Sequence, residues 1–214
     1  MKFSAVLFDL DGTLLDTSQD LANALNDLLQ DHGQPALPYR MIREKLSLGG
    51  KGLIELGFKP LPDKESLLAL REQFFQYYTE RMHENTALFP GMQSVLDYLA
   101  EKSLPWGIVT NKHVRFSEPV VEKLGLSHGS LICGDTLPVC KPHPDPLFKA
   151  CEELGVDPTH CVYIGDAERD IEAGRRAGMK TIAAKYGYLT EDEDIDAWQA
   201  DVVIESPEML LQLL

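Results

Sequence analysis

Positive charge is what this chain has least of: 20 lysines and arginines stand against 34 aspartates and glutamates, a formal net charge of −14. Nucleic acids and anionic membrane surfaces select basic faces, so the balance argues against both as partners. Long apolar runs are missing as well. No stretch approaches the roughly 18 residues of a membrane span. The first apolar run, Ala5-Val6-Leu7-Phe8, meets Asp9 and Asp11 almost at once, unlike the core of a secretory leader. The four cysteines, Cys133, Cys140, Cys151 and Cys161, include no C-x-x-C pair, and no histidine completes a zinc-type spacing. They read as small reduced hydrophobes, and the chain as a cytoplasmic protein.

What is present is an alternation of short apolar runs with helix-period stretches. At 214 residues the chain can hold one large domain or two smaller ones. Ala5–Phe8 predicts a first strand. Leu21, Ala24, Leu25, Leu28 and Leu29 then fall on one helical face, with Thr17 and Asp20 as a weak capping box. Pro38 is placed to open a second helix, and Pro62 a longer third one through Leu67, Leu70, Phe74, Tyr77 and Tyr78. No strand is expected between residue 17 and about residue 84. From about residue 90 a helix around Val95, Leu96 and Leu99 leads to the strand Trp106–Val109. Further helices lead to strands at Leu131–Cys133, Cys161–Ile164, Thr181–Ala184 and Val202–Ile204, with a short helix at the end. Short apolar strands separated by helices predict an α/β domain built on a parallel sheet covered on both faces. The domain expectation is therefore residues 1–16 with 85–214 as the core and 17–84 as an all-helical insert. The acidic run Glu191–Asp194 reads as a solvated loop.

Chemistry is suggested where the strands end. Asp9-Leu-Asp11-Gly12-Thr13 sets two carboxylates on one side of an extended segment, and Gly12 permits a sharp turn with close approach to a ligand. One carboxylate can attack or bind a metal while the other handles protons. In an open parallel sheet, ligands bind beyond the carboxyl ends of the strands. A second strand ends there in Thr110-Asn111, and the fourth in Gly165-Asp166, with Asp170 one helical turn on. Lys141 stands in the loop after the third strand, within the proline-stiffened Lys141-Pro-His-Pro-Asp-Pro146. Singly, each has an ordinary reading: Thr110 and Asn111 as helix caps, Lys141 as a surface lysine, Asp166 and Asp170 as a turn and a helix start. Together they supply two aspartates, a hydroxyl, a lysine and an acidic pair, a set suited to phosphoryl transfer.

These residues, in this order, resemble the haloacid dehalogenase superfamily over essentially the whole chain. Their order and spacing look like the phosphoglycolate phosphatase group. Trp106-Gly-Ile-Val-Thr-Asn-Lys-x-Val-Arg-Phe116 and Arg169-Asp-Ile-Glu-Ala-Gly174 look most like bacterial N-acetylmuramic acid 6-phosphate phosphatases. The resemblance implies a Rossmann-like parallel-sheet core with an inserted helical cap domain, and hydrolysis of a small phosphate ester through an aspartyl-phosphate. It implies Asp9 as nucleophile and Asp11 as the group that protonates the leaving alkoxide and then activates water. Thr110, Asn111 and Lys141 would bind the phosphate. Mg²⁺ would be held by Asp9, the Asp11 backbone carbonyl and Asp166, while Asp170 would steady Lys141 or a water of the metal. One departure is visible: Ala167 stands where many relatives have Thr or Ser, which removes a hydroxyl but no expected ligand. Two unit charges of like sign 4 Å apart repel by about 4 kcal/mol at an effective dielectric of 20. A metal ion and Lys141 would therefore supply the cation that the composition lacks.

Within the insert, Ser47-Leu-Gly49-Gly50-Lys51-Gly52 reads either as a flexible loop with one cation aimed at the substrate or as a plain glycine-rich connection. Arg43 and Arg115 are further candidate cations, and His113 and His143 neighbour the motifs. The segment is not a Walker loop, because Gly52 stands where Ser or Thr is required and Lys45 holds the first glycine position. A calcium loop starting at Asp9 fails at Leu14 and Asp20. A dehalogenase would not need Asp11. A sugar phosphomutase of the same superfamily typically carries Val or Ile in place of Thr13 and a histidine near Leu21. A silent binding protein of this fold is disfavoured, since no expected catalytic residue is missing.

Overall fold

Six short apolar segments pair into one parallel sheet in this computed structural model, which describes residues 3–190 and 193–214. Glu191 and Asp192 of the acidic run lie outside the described residues. The strands are β1 (Ala5–Phe8), β4 (Trp106–Val109), β5 (Ser130–Ile132), β6 (Cys161–Gly165), β7 (Lys180–Ala184) and β8 (Val202–Ile204). Their order is β5-β4-β1-β6-β7-β8, with every neighbouring pair parallel. β1 lies between β4 and β6, with Leu7 registered against Gly107 on one side and Tyr163 on the other. All four β1 side chains are fully buried, as an unbroken apolar run demands of a strand covered on both faces. The chain builds outward from β1 through β4 and β5, then crosses back to β6 and on to β8. That reversal makes the carboxyl end of β1 a topological switch point, where open α/β sheets leave a crevice.

The connecting helices are α5 (Met92–Glu101), α6 (Val114–Lys123), α7 (Asp145–Leu154) and α8 (Glu168–Arg176). Leu147, Ala150 and Cys151 of α7 share a core cluster with Ala5, Leu7, Val109 and Tyr163. Ile171 of α8 shares a smaller one with Ala183 and Trp198. The third strand begins one residue earlier than expected, at Ser130, and Cys133 leaves it, its N–H donating to the Thr136 hydroxyl at 2.9 Å. The terminal helix, Pro207–Gln212, is a 3-10 helix.

The chain divides into two compact units, residues 1–16 with 87–214, and residues 17–86. The first unit is left and re-entered through a two-stranded antiparallel ribbon, β2 (Leu15–Asp16) with β3 (Ala87–Leu88). The second unit consists of α1 (Ser18–Asp31), α2 (Tyr39–Arg43), α3 (Gly49–Gly57) and α4 (Lys64–Arg81) with a short 3-10 turn at Leu46–Leu48. Ala24, Leu25, Leu28 and Leu29 of α1 are fully buried, while Tyr77 and Arg81 of α4 bond Asp31 and Asp27 of α1. α4 starts after Asp63, whose carboxylate accepts from the Ser66 N–H at 2.8 Å.

Two local expectations are corrected here. Thr17 stands at the N-cap of α1, but its side chain makes no capping bond to the helix. Asp20, fully buried, instead accepts hydrogen bonds from the backbone N–H and side-chain amide of Asn85 and from the backbone N–H and hydroxyl of Thr86. A buried carboxylate is more fully satisfied by these four donors than by a single cap bond. The glycine-rich segment is no loop either: Gly49, Gly50, Lys51 and Gly52 form the first turn of α3. The missing side chains are what permit it. A Cβ on Gly52 would lie 2.3 Å from Leu48 Cβ, and one on Gly50 would lie 3.2 Å from the Phe75 ring.

Candidate active site

Four strand-end loops deliver the polar residues. After β1 the chain turns at Gly12, which has φ of 85° and donates its N–H to the Leu15 carbonyl at 3.0 Å. Asp9, just before the turn, is 3% exposed, and its Oδ1 accepts from the Leu10 N–H at 2.7 Å. Asp166 follows β6 and is also buried. Its Oδ2 accepts from the Tyr188 N–H at 2.8 Å, and its Oδ1 from the Thr13 hydroxyl at 3.3 Å. Asp170 sits in the first turn of α8, where its Oδ2 accepts from the Ala167 N–H at 3.1 Å. The alanine at that cap cannot return a side-chain bond.

Lys141 joins these carboxylates. Its Nζ lies 2.9 Å from Asp9 Oδ1 and 2.7 Å from Asp170 Oδ1, and it donates to the Tyr163 hydroxyl at 2.8 Å. An ammonium has three N–H donors, and each has a buried acceptor here. The lysine is held by its own backbone: the Asn111 side chain donates to the Lys141 carbonyl at 2.9 Å and accepts from the Lys141 N–H at 3.0 Å. Asn111, expected to bind phosphate, thus spends its amide on fixing the lysine loop. Thr110 is 4% exposed, and its hydroxyl accepts from the Lys112 N–H at 3.2 Å.

Asp9, Asp166 and Asp170 form one group in which each offers a carboxylate oxygen within 4.8 Å of those of the other two. Concentrating anions in a buried place has a visible electrostatic consequence. Burial, and then the charges of Asp9 and Asp170, push the Asp166 carboxyl up to about 8. Burial raises Asp170 as well, against the pull of Lys141. Tyr163 is held well above its ordinary value by burial and by Asp170 and Asp9, so its hydroxyl stays protonated and donates to the Val109 carbonyl at 2.8 Å. The cluster fits a hard divalent cation on three counts: all donors are oxygens, Lys141 meets Asp9 and Asp170 but Asp166 has no ammonium of its own among the ion pairs described, and the backbone leaves room beside Asp166. A Cβ on Gly12 would lie 2.0 Å from Asp166 Oδ2, and one on Gly187 2.5 Å from the same atom.

The family model described as haloacid dehalogenase-like hydrolase matches residues 6–184, which takes in Asp9, Gly12, Thr110, Asn111, Lys141, Tyr163, Asp166 and Asp170. The chain belongs to that family. Among this hydrolase's relatives, the N-acetylmuramic acid 6-phosphate phosphatase of Pseudomonas putida is 41% identical over 209 residues, covering 97% of this chain and 94% of the relative. The phosphoglycolate phosphatase of Xanthomonas campestris pv. campestris is 41% identical over 213 residues, covering 98% and 96%. Among solved structures, a predicted phosphoglycolate phosphatase from Haemophilus somnus superposes with a TM-score of 0.89 at 25% identity, covering 100% of this chain and 98% of that one.

Three side chains of the hydrolase's site escaped the sequence reading. Tyr163 reads as a core aromatic in a strand. Lys112 reads as one more lysine, yet it reaches Asp11 from 101 positions away. Arg169 keeps its charge although burial works against it, because Asp170, Asp9 and Asp166 more than offset that burial. The outlying candidates are engaged elsewhere: His113 lies 3.7 Å from Asp135, His143 3.3 Å from Asp145, and the Arg115 guanidinium 4.6 Å from the Phe116 ring. Lys51, in the helical unit, pairs with Glu55 at 3.7 Å and is 66% exposed. No helix among the described residues is long and apolar enough to cross a membrane.

Proposed function

We propose that this hydrolase cleaves a small phosphate monoester by way of an aspartyl-phosphate on Asp9, with Mg²⁺ as its cofactor. The observation that carries the reading is the buried lysine between two carboxylates: Lys141 lies 2.9 Å from Asp9 and 2.7 Å from Asp170. A carboxylate nucleophile must be aimed and shielded from the repulsion of its dianionic substrate, and a fixed ammonium does both.

Asp9 attacks phosphorus, the bond from phosphorus to the ester oxygen breaks, and Asp11 gives its proton to the departing oxygen. Asp11, now a carboxylate, takes a proton from the water that hydrolyses the acyl phosphate. This returns Asp9 and inorganic phosphate and restores the proton on Asp11. Mg²⁺, held by Asp9, the Asp11 backbone carbonyl and Asp166, would supply positive charge against the transferring phosphoryl oxygens. The Thr110 hydroxyl and Lys141 are assigned to those same oxygens, and Asp170 to keeping Lys141 in place.

For the substrate, the names of the relatives converge on a chemical class. Phosphoglycolate and N-acetylmuramic acid 6-phosphate each join a phosphate monoester to a carboxylate elsewhere in the molecule. We assign this hydrolase to phosphorylated carboxylic acids, phosphoglycolate foremost and N-acetylmuramic acid 6-phosphate as the second reading. Residues 17–84 are proposed as a cap domain that bears on this choice, through Gly49, Gly50 and Lys51. The test has two parts. Purified protein should hydrolyse p-nitrophenyl phosphate with Mg²⁺ and stop on addition of EDTA, and Asp9→Asn should be folded and inactive. A panel of phosphoglycolate, N-acetylmuramic acid 6-phosphate and glucose 6-phosphate, compared by kcat/KM, then sets the substrate. Metal-independent turnover, or an active Asp9→Asn, defeats the mechanism; preference for glucose 6-phosphate defeats the substrate class.

A further inference from the structure

Lys112 grips Asp11 by both carboxylate oxygens, with Nζ 2.9 Å from Oδ1 and 3.0 Å from Oδ2. The pair is unlike a surface ion pair, because the lysine side chain is only 7% exposed and the aspartate 25%. Exposed pairs leave two long side chains free to move and contribute little. Here the base of the lysine is fixed as well. Its N–H donates to the Thr110 hydroxyl at 3.2 Å, and its carbonyl accepts from the Gly134 N–H at 2.9 Å. Gly134 comes in so tightly that a Cβ there would lie 2.2 Å from the Asn111 carbonyl oxygen. Two strand-end loops therefore lock the backbone from which Lys112 extends.

A carboxylate on a short stem has two torsions to settle. The second of these, which turns the two oxygens, is the one a partner can settle. An ammonium in reach of both oxygens removes that rotation, and when one oxygen carries the proton the other still accepts from the ammonium. We infer that Lys112 is a positioning residue for leaving-group departure, acting through the Asp11 carboxyl that it orients toward the ester oxygen. The inference rests on the reading of Asp11 as the group that serves that oxygen. In the step concerned the phosphorus–oxygen bond breaks and the Asp11 proton passes to the departing oxygen. Lys112 supplies neither electrons nor a proton.

Leaving-group chemistry separates this from a merely structural role. An aryl leaving group such as p-nitrophenolate departs without much help from an acid, whereas an alkoxide needs one. The readout is the ratio of kcat/KM for p-nitrophenyl phosphate to kcat/KM for the best alkyl phosphate of the panel. This parameter reports the phosphorylation half-reaction alone. Lys112→Met is expected to raise that ratio about tenfold or more, and Lys112→Arg to bring it back toward the wild-type value. Lys112→Gln, which keeps an amide N–H donor but no charge, serves where circular dichroism shows that Lys112→Met is not folded. Asp11→Asn is the control. If it raises the ratio and the folded Lys112 variants do not, the inference is overturned while the reading of Asp11 stands. If Asp11→Asn leaves the ratio at the wild-type value, the reading of Asp11 is wrong and the inference falls with it.

Discussion

The Tyr163 hydroxyl accepts a hydrogen bond from the Lys141 ammonium at 2.8 Å, with both side chains buried, and donates one to the Val109 carbonyl at 2.8 Å. The phenol thus ties the site lysine to the backbone at the end of β4. Tyr163→Phe removes one acceptor from the ammonium and one donor from the carbonyl while keeping the ring. Leaving buried polar groups unpaired costs about 1–3 kcal/mol, to be read from the shift in urea midpoint. Because the phenol touches neither the ester nor its leaving group, kcat should fall about tenfold with KM within about twofold. An unaltered kcat would show that two acceptors suffice to hold the lysine.

Asn111 poses the same question from the backbone side. Its amide matches both polar groups of Lys141, so Asn111→Ala should weaken the fold by about 1–3 kcal/mol and reduce kcat together with it. Asn111→Asp keeps the acceptor for the Lys141 N–H but sets a carboxylate against the Lys141 carbonyl. It should restore little. Recovery of wild-type activity by the aspartate would argue against the two-bond clamp.

Gly12 is expected to be intolerant for a reason specific to Asp166. Alanine there meets a positive φ of 85° and brings its Cβ within 2.0 Å of Asp166 Oδ2. The carboxylate must swing away, so the Mg²⁺ concentration for half-maximal activity should rise about tenfold or more. Titration of activity against Mg²⁺ decides it; a wild-type requirement would mean that Asp166 is not a ligand.

The raised Asp166 carboxyl makes the metal-free protein sensitive to pH in a stated direction. Unfolded, the group ionises near 3.8; folded, only near about 8. Between these values the native state holds a proton that the unfolded state has released. Its contribution to stability is therefore complete below the lower value and is lost as pH rises through the upper one. Melting in EDTA should decline across that window. Mg²⁺ should reverse the trend, because a cation bound by Asp166 displaces the proton and binds more tightly as pH rises. Melting curves with and without Mg²⁺ at several pH values test both signs together.

How much of this could be read from the chain depended on how local each signal was. The strands declared themselves as apolar runs bounded by polar turns, and a parallel sheet puts all their carboxyl ends on one edge. Asp9, Lys141, Asp166 and Asp170 could therefore be grouped before any coordinates. The helix α3 escaped because three glycines in its first turn speak against a helix. Only its packing, where Gly50 lies under the Phe75 ring, makes their small size useful. Lys112, Tyr163 and the amide of Asn111 escaped for a different reason. Each acts on a partner far along the sequence, and nothing in a lysine, a strand tyrosine or a loop asparagine announces which distant atom it will meet.

The four donors gathered by Asp20 have a consequence for how such a chain can change. They bind the first turn of the helical excursion to its last two residues, Asn85 and Thr86. The entropy of closing a loop depends on the separation of its ends, and here the ends are fastened to each other within the excursion itself. The sheet therefore meets a short tether whatever happens between the fastened points. Length and sequence can drift inside the excursion at little cost to the sheet and to the strand-end loops that carry Asp9, Lys141 and Asp166.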